Sequence, residues 1–196
     1  CSFEAIHQRK AMRMSQLDSS DNPPPPFHNA YWVVPGSLLA GGYPGRRDPD
    51  EVYRNILGLM DVNIQHIISL MEEHEVAFLS KYVTSYESEM ADILRRTGRK
   101  LTFHRFPIED MGIASTRCMI EILDEIDDSI TRGRPVFVHC LGGRGRTGLV
   151  VGCYLVRHGM EGKQALAHIQ ILRQRGQTAS FPSPETRSQR EMVLNW

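Results

Sequence analysis

The sequence has no long apolar run. Nowhere in its 196 residues does a hydrophobic stretch approach the roughly 20 residues that cross a bilayer as a helix, so no membrane span is expected. It has no charge excess either. Its 23 basic residues balance 23 acidic ones, which removes any global attraction to nucleic acid or to an anionic surface. Cysteine is scarce: Cys1, Cys118, Cys140 and Cys153 are too few for a disulfide scaffold and lack metal-ligand spacing. A reducing compartment, the cytoplasm, is therefore the expectation. His74 stands among Glu72, Glu73 and Glu75, but without the H-E-x-x-H pattern this reads as a solvated helix start, and no metal site is expected. No secretory signal is visible; because the chain begins with Cys1 rather than Met, removal of upstream residues is expected.

What is present fits a single domain able to bury a sizeable core, with 41% hydrophobic residues. Residues 1–27 read as a polar arm followed by a stiff polyproline linker, Pro23 to Pro26. The domain then runs over 28–196. Tyr31–Val34 and Ser37–Ala40 read as two short strands around a Pro35-Gly36 turn. A helical spacing covers 49–60. Strands are expected at 65–70, 101–106 and 135–139, with helix in 75–97, over 115–132, after Gly145 and over 161–175. Pro184 is expected to open a last helix to Trp196. Strands alternating with helices predict an α/β fold, a central twisted, mostly parallel sheet flanked by helices, with the site at the C-terminal ends of central strands.

The most informative stretch is His139-Cys140-Leu141-Gly142-Gly143-Arg144-Gly145-Arg146-Thr147-Gly148. An apolar strand precedes it and an apolar helix follows. A Gly-rich turn in that position points backbone amides at an anion, and the helix dipole favours negative charge there. A phosphate fits such a cup. The amides of Leu141 to Arg146 would hold its oxygens, with Gly142, Gly143 and Gly145 permitting the close approach. Arg146 adds a planar fork for two phosphoryl oxygens. Cys140, in the same positive field, is expected to act as a thiolate nucleophile toward phosphorus.

This window resembles the H-C-x-x-G-x-G-R-[ST]-G pattern of cysteine-dependent protein tyrosine and dual-specificity phosphatases. The resemblance extends to Phe106-Pro107-Ile108-Glu109-Asp110, which looks like their general-acid loop, and to the segments around Leu38–Gly45 and 183–196. It covers roughly residues 30–196 and points to the compact bacterial-type branch. It implies a phosphocysteine intermediate, no metal and no cofactor. Asp110, or the adjacent Glu109, would protonate the leaving group and later activate water; the family register favours Asp110. Ala114 stands where many relatives have proline, which suggests a more mobile loop. Thr147 would donate a hydrogen bond to the Cys140 sulfur. His139 would order the loop. Glu185 falls where some members carry a water-positioning glutamine, and Gln189 sits one helical turn later; helix capping at 183–185 explains the segment equally well.

Arg144, the fourth residue after the cysteine, leaves the substrate class open. A cation there would suit a phosphoinositide or inositol phosphate, whereas an outward, solvated arginine would not. Arg46 and Arg47 could add a basic rim, although a plain polar turn explains them as well. The reading is thus a protein tyrosine or dual-specificity phosphatase acting on a phosphorylated protein or a small phosphomonoester, not on nucleic acid. The alternatives are a phosphoinositide or inositol-phosphate phosphatase and a phosphate-binding pseudophosphatase acting as an interaction module. A sulfurtransferase is disfavoured by the Thr147-Gly148 ending and the Asp110 loop.

Overall fold

The computed structural model describes residues 24–176 and 179–196. The arm over residues 1–22, and Pro23, lie outside the described residues. The chain forms one five-stranded sheet with helices on both faces. β1 (Ala30–Val34) and β2 (Leu38–Gly41) make an antiparallel hairpin over the Pro35-Gly36 turn. β3 (His66–Ser69), β4 (Thr102–Arg105) and β5 (Val136–His139) complete the order β1-β2-β5-β3-β4, with every pair after the first parallel. β5 is therefore central, and the phosphate-cup sequence begins where it ends.

Side-chain alternation along the strands feeds two cores. Val136 and Val138 turn to one face, where α4 (Thr116–Thr131), α5 (Arg146–Arg157), α6 (Gly162–Leu172) and α7 (Arg187–Leu194) bury Leu123, Val150, Ile169 and Val193. Phe137 turns to the other, covered by α1 (Pro49–Asp61) and α3 (Tyr86–Thr97). α1 starts as its sequence dictates: the Asp48 carboxylate accepts from the Asp50 amide and Pro49 occupies the first turn. Phe27 packs edge-to-face on Phe137, with ring centroids 5.7 Å apart, so the core begins one residue earlier than the expected linker boundary.

The helix expected within 75–97 is α3, which buries Met90 and Ile93, and a short α2 (Glu73–Leu79) precedes it. They separate because Thr84 leaves helical geometry to bridge Arg46, its amide donating to the Arg46 carbonyl at 2.7 Å. The last helix opens at Arg187, not Pro184. Thr186 caps it, its hydroxyl accepting from the Gln189 amide while Gln189 reaches back to the Thr186 amide.

Candidate active site

The segment between β5 and α5 is tied down from several sides. The His139 carbonyl accepts from the Leu70 amide at 2.8 Å, and the Leu141 carbonyl from the Tyr43 amide at 3.0 Å. The Ser183 hydroxyl donates to the Arg144 carbonyl at 2.7 Å. Gly143 has φ +68°, and a Cβ there would lie 2.5 Å from Gly41 C and Gly42 N. Both its dihedral and its contact with the β2 end require glycine. By contrast, no backbone amide from Leu141 to Arg146 donates to a carbonyl among the described residues. These donors follow Cys140, which is buried at the start of the loop.

Arg146 is 1% exposed and held as a fork. Its Nη1 donates to Glu75 Oε2 at 2.6 Å and its Nη2 to Glu75 Oε1 at 2.8 Å; Nη1 also donates to the Ile108 carbonyl at 3.0 Å. Burial works against the guanidinium charge, but the Glu75 hydrogen bonds together with the surrounding negative charge, that of Glu75 and Asp110 included, raise the Arg146 pKa. On the partner, burial would raise the Glu75 pKa, yet the hydrogen bonds from Arg146 and the Glu72 amide, together with the Arg146 charge, hold it below the usual carboxylate range. Nε of Arg146 is buried with no hydrogen-bond partner.

Of the two adjacent carboxylates, Asp110 reaches the arginine. Its Oδ1 lies 3.0 Å from Nη2, and its side chain is 63% exposed. Glu109 is exposed, and its carbonyl takes the Gly112 amide. Ala114 is buried against the core.

His139 sits under the loop, stacked on Phe137. Burial pushes its pKa down to about 4, so the ring is neutral. Nδ1 lies 3.3 Å from the Cys140 carbonyl and Nε2 2.7 Å from the Tyr86 hydroxyl. The carbonyl can only accept, which assigns the proton to Nδ1 and makes Tyr86 the donor to Nε2. Burial likewise pushes the Tyr86 phenol pKa well up, so it keeps its proton.

Several side chains are placed otherwise than the sequence suggests. The Thr147 hydroxyl donates to the Gly41 carbonyl at 3.2 Å, not to the Cys140 sulfur, tying the loop to β2. Arg144 neither lies open to the cup floor nor extends into solvent. Its guanidinium pairs with Glu185 and lies 5.1 Å from the Phe181 ring centroid. Glu185 is therefore engaged with Arg144. Gln189 is fully buried: Oε1 accepts from the Glu185 and Thr186 amides, and Nε2 donates to the Gly112 carbonyl at 2.8 Å, beside Gly145. It joins the loop that carries Asp110 to the loop between β5 and α5. Arg46 folds back on the Tyr43 and Gly45 carbonyls and pairs with Glu51, so it makes no basic rim.

Glu75 and Tyr86 are the site neighbours that the sequence does not reveal. Glu75 opens α2 as a solvated helix start would, closing a capping box with Glu72, but its carboxylate turns inward to Arg146. Among the described residues no group of three His, Cys, Asp or Glu side chains could hold a metal, and no helix is long and apolar enough to cross a membrane.

Comparisons with known proteins agree with this architecture. A structure of kinase associated phosphatase with its catalytic-site cysteine substituted by serine superposes with a TM-score of 0.64 at 22% identity, covering 88% of this chain and 94% of that one. An uncharacterized protein of Methanocaldococcus jannaschii is 44% identical over 55 residues, 28% of this chain and 37% of that protein. The phosphatidylglycerophosphate phosphatase PTPMT2 of Arabidopsis thaliana is 29% identical over 140 residues, 70% of this chain and 53% of that protein. The chain thus spans only 37% and 53% of the length of these two relatives. The family model of the Swiss Army Knife protein PTP-SAK, a DSP-PTPase phosphatase domain, matches residues 27–192. With that match over most of its length and a cysteine-loop architecture to accompany it, the chain belongs to the DSP-PTPase phosphatase domain family.

Proposed function

We propose that this chain hydrolyses phosphomonoesters as a protein tyrosine or dual-specificity phosphatase, through a phosphocysteine intermediate. The observation that carries this reading is the set of unused donors around Cys140: the amides of Leu141 to Arg146 and the buried Nε–H of Arg146. Leaving the buried Nε–H of Arg146 unpaired costs about 1–3 kcal/mol unless an anion takes it. A phosphoryl group supplies the missing acceptors.

In this reading the Cys140 sulfur attacks phosphorus in line and the P–O bond to the leaving group breaks. The phosphoryl oxygens take the cup amides and Arg146 Nε. They also displace Asp110 from Nη2, while Glu75 keeps the other edge of the fork in place. Asp110, exposed at the mouth and released from the guanidinium, takes a proton from solvent and gives it to the departing oxygen. In the second step it takes a proton from water as the water's oxygen attacks phosphorus and the P–S bond breaks. Thr147 can assist that departure only by releasing the Gly41 carbonyl. Water positioning falls to Gln189, which keeps one amide N–H beside Gly145, rather than to Glu185. His139 and Tyr86 act as positioning residues beneath the loop.

The pairing of Arg144 with Glu185 supports a phosphorylated protein or small phosphomonoester over an inositol polyphosphate, because the cation that would favour the latter already has its counter-ion. The free thiols at Cys118, Cys140 and Cys153 suit a reducing compartment such as the cytoplasm. The decisive experiment pairs turnover with binding. Cys140→Ser should abolish hydrolysis of an aryl phosphate while the variant still binds inorganic phosphate. Normal turnover by that variant would refute the covalent scheme.

A further inference from the structure

Among the described residues, distant segments hold three carbonyls of the stretch from β5 to α5, those of His139, Leu141 and Arg144. Backbone amides hold the first two, the amides of Leu70 and Tyr43. The third is held by a side chain. The Ser183 hydroxyl donates to the Arg144 carbonyl at 2.7 Å, across 39 residues of sequence. Ser183 lies in none of the helices or strands, yet it is 1% exposed. Its own position is fixed from α6. Gln170 Nε2 donates to the Ser183 carbonyl at 2.9 Å, and Arg173, just after that helix, donates to the Phe181 carbonyl at 3.1 Å.

The bond has a directional consequence. The Arg144–Gly145 peptide is trans, so its C=O and N–H point to opposite sides. A carbonyl drawn to Ser183 turns the Gly145 amide the other way, and that amide donates to no carbonyl among the described residues. Gly145 directly precedes Arg146, whose buried Nε is likewise unpartnered. Gly148 supplies a second, independent observation. It sits in the first turn of α5, and a Cβ on it would collide with the Ser183 hydroxyl oxygen and lie 3.3 Å from Pro184. The hydroxyl occupies the space that a side chain at 148 would need. Glycine at 148 therefore serves the bond made at 144.

We propose that Ser183 is a positioning residue for phosphoryl transfer: by holding the Arg144 carbonyl it aims the Gly145 amide at the phosphoryl oxygens, and Gly148 is glycine to admit it. The proposal rests on the phosphatase reading above and adds to it a residue that touches neither substrate nor nucleophile. Donors fixed in advance act most strongly on the transition state, since they need no reorientation as the reaction proceeds. A misaimed Gly145 amide should therefore cost more in the transition state than in the binding of phosphate itself.

The test is calorimetric titration of the full chain with inorganic phosphate and with orthovanadate, whose five-coordinate form resembles the transition state. Each variant is measured well below its thermal midpoint. Ser183→Ala should weaken phosphate about threefold and orthovanadate about 30-fold, and kcat/KM for an aryl phosphate should fall in step with orthovanadate. Gly148→Ala, which displaces the hydroxyl, should do the same. The double variant should lose no more than either single one, because both remove one bond. A merely structural serine would lower the thermal midpoint and leave both affinities as they are. That result, or losses that multiply in the double variant, would overturn the proposal. The phosphatase reading has its own failing result, normal turnover by Cys140→Ser. If that variant is inactive and Ser183→Ala leaves both anion affinities unmoved, the reading stands and the proposal alone falls.

Discussion

Glu75 and Arg146 meet edge to edge, both carboxylate oxygens bonded to the two terminal guanidinium nitrogens at 2.6 and 2.8 Å. One residue belongs to a short surface helix and the other opens the central helix. The pairing leaves Nε as the unpartnered nitrogen of the fork, so the carboxylate sets which edge of the arginine meets an incoming phosphoryl group.

Glu75→Gln should therefore lower kcat/KM for an aryl phosphate about 100-fold, the scale expected when a charge-stabilising group is misplaced by about an ångström. The inhibition constant of inorganic phosphate should rise with it. An unchanged phosphate constant would confine Glu75 to folding. Glu75→Ala should also destabilise the domain by about 3 kcal/mol, since it leaves a buried guanidinium without its counter-ion. Chemical denaturation measures that loss.

Asp110→Asn should discriminate among leaving groups. For an alkyl phosphate, whose alkoxide must be protonated as it leaves, the loss should reach about 10²–10⁴-fold. For an activated nitrophenyl phosphate it should be much smaller. Equal losses across a leaving-group series would move the acid to another residue, with Glu109 first in line.

Gln189→Leu should act on the second chemical step. If Gln189 holds the hydrolytic water, the steady-state rate falls about tenfold while the first turnover stays fast, and a burst of leaving group appears in stopped-flow traces. Loss of the Gly112 bond alone would slow the burst as well. Glu185→Gln should leave the burst and the steady state nearly as they are.

Stability should decline in acid over a defined window. The folded pKa of His139 is lowered to about 4 by burial, whereas an unfolded histidine titrates near 6.5. The neutral form is thus favoured by the fold. The stabilisation is fully present above about pH 6.5 and is lost as pH falls toward 4, a change on the order of 3 kcal/mol for this one group. His66 and His168, whose pKa values burial also lowers, add to the loss in the same direction. Glu75, held below its ordinary value by Arg146, extends it to lower pH. Urea midpoints between pH 7 and pH 4 would measure the slope, and His139→Asn should flatten it.

The candidate phosphate loop stood out in the sequence because the chemistry proposed for it is local. Amides, glycines, a cysteine and an arginine lie within ten consecutive residues of one turn. The same holds for α1, where Asp48 and Pro49 announce a start that needs no distant partner. Legibility fails where a residue's role is set from elsewhere. The acidic stretch at residues 72–75 reads as solvent-facing in any window, and only the fold, by bringing Glu75 to Arg146 from 71 residues away, makes it the clamp of that arginine. Arg144 reads as either a pocket cation or a surface one, and Glu185 decides it as neither.

The sequence by itself determined the family, the α/β layering and the candidate nucleophile, because periodicity and short-range motif geometry operate within a few residues. Tertiary structure alone decided which carboxylate orients Arg146, where the charge of Arg144 goes and what Thr147 and Gln189 bond. These are contacts between segments tens of residues apart, fixed by how helices pack on the sheet and by the cost of leaving a buried charge or hydrogen bond unpaired.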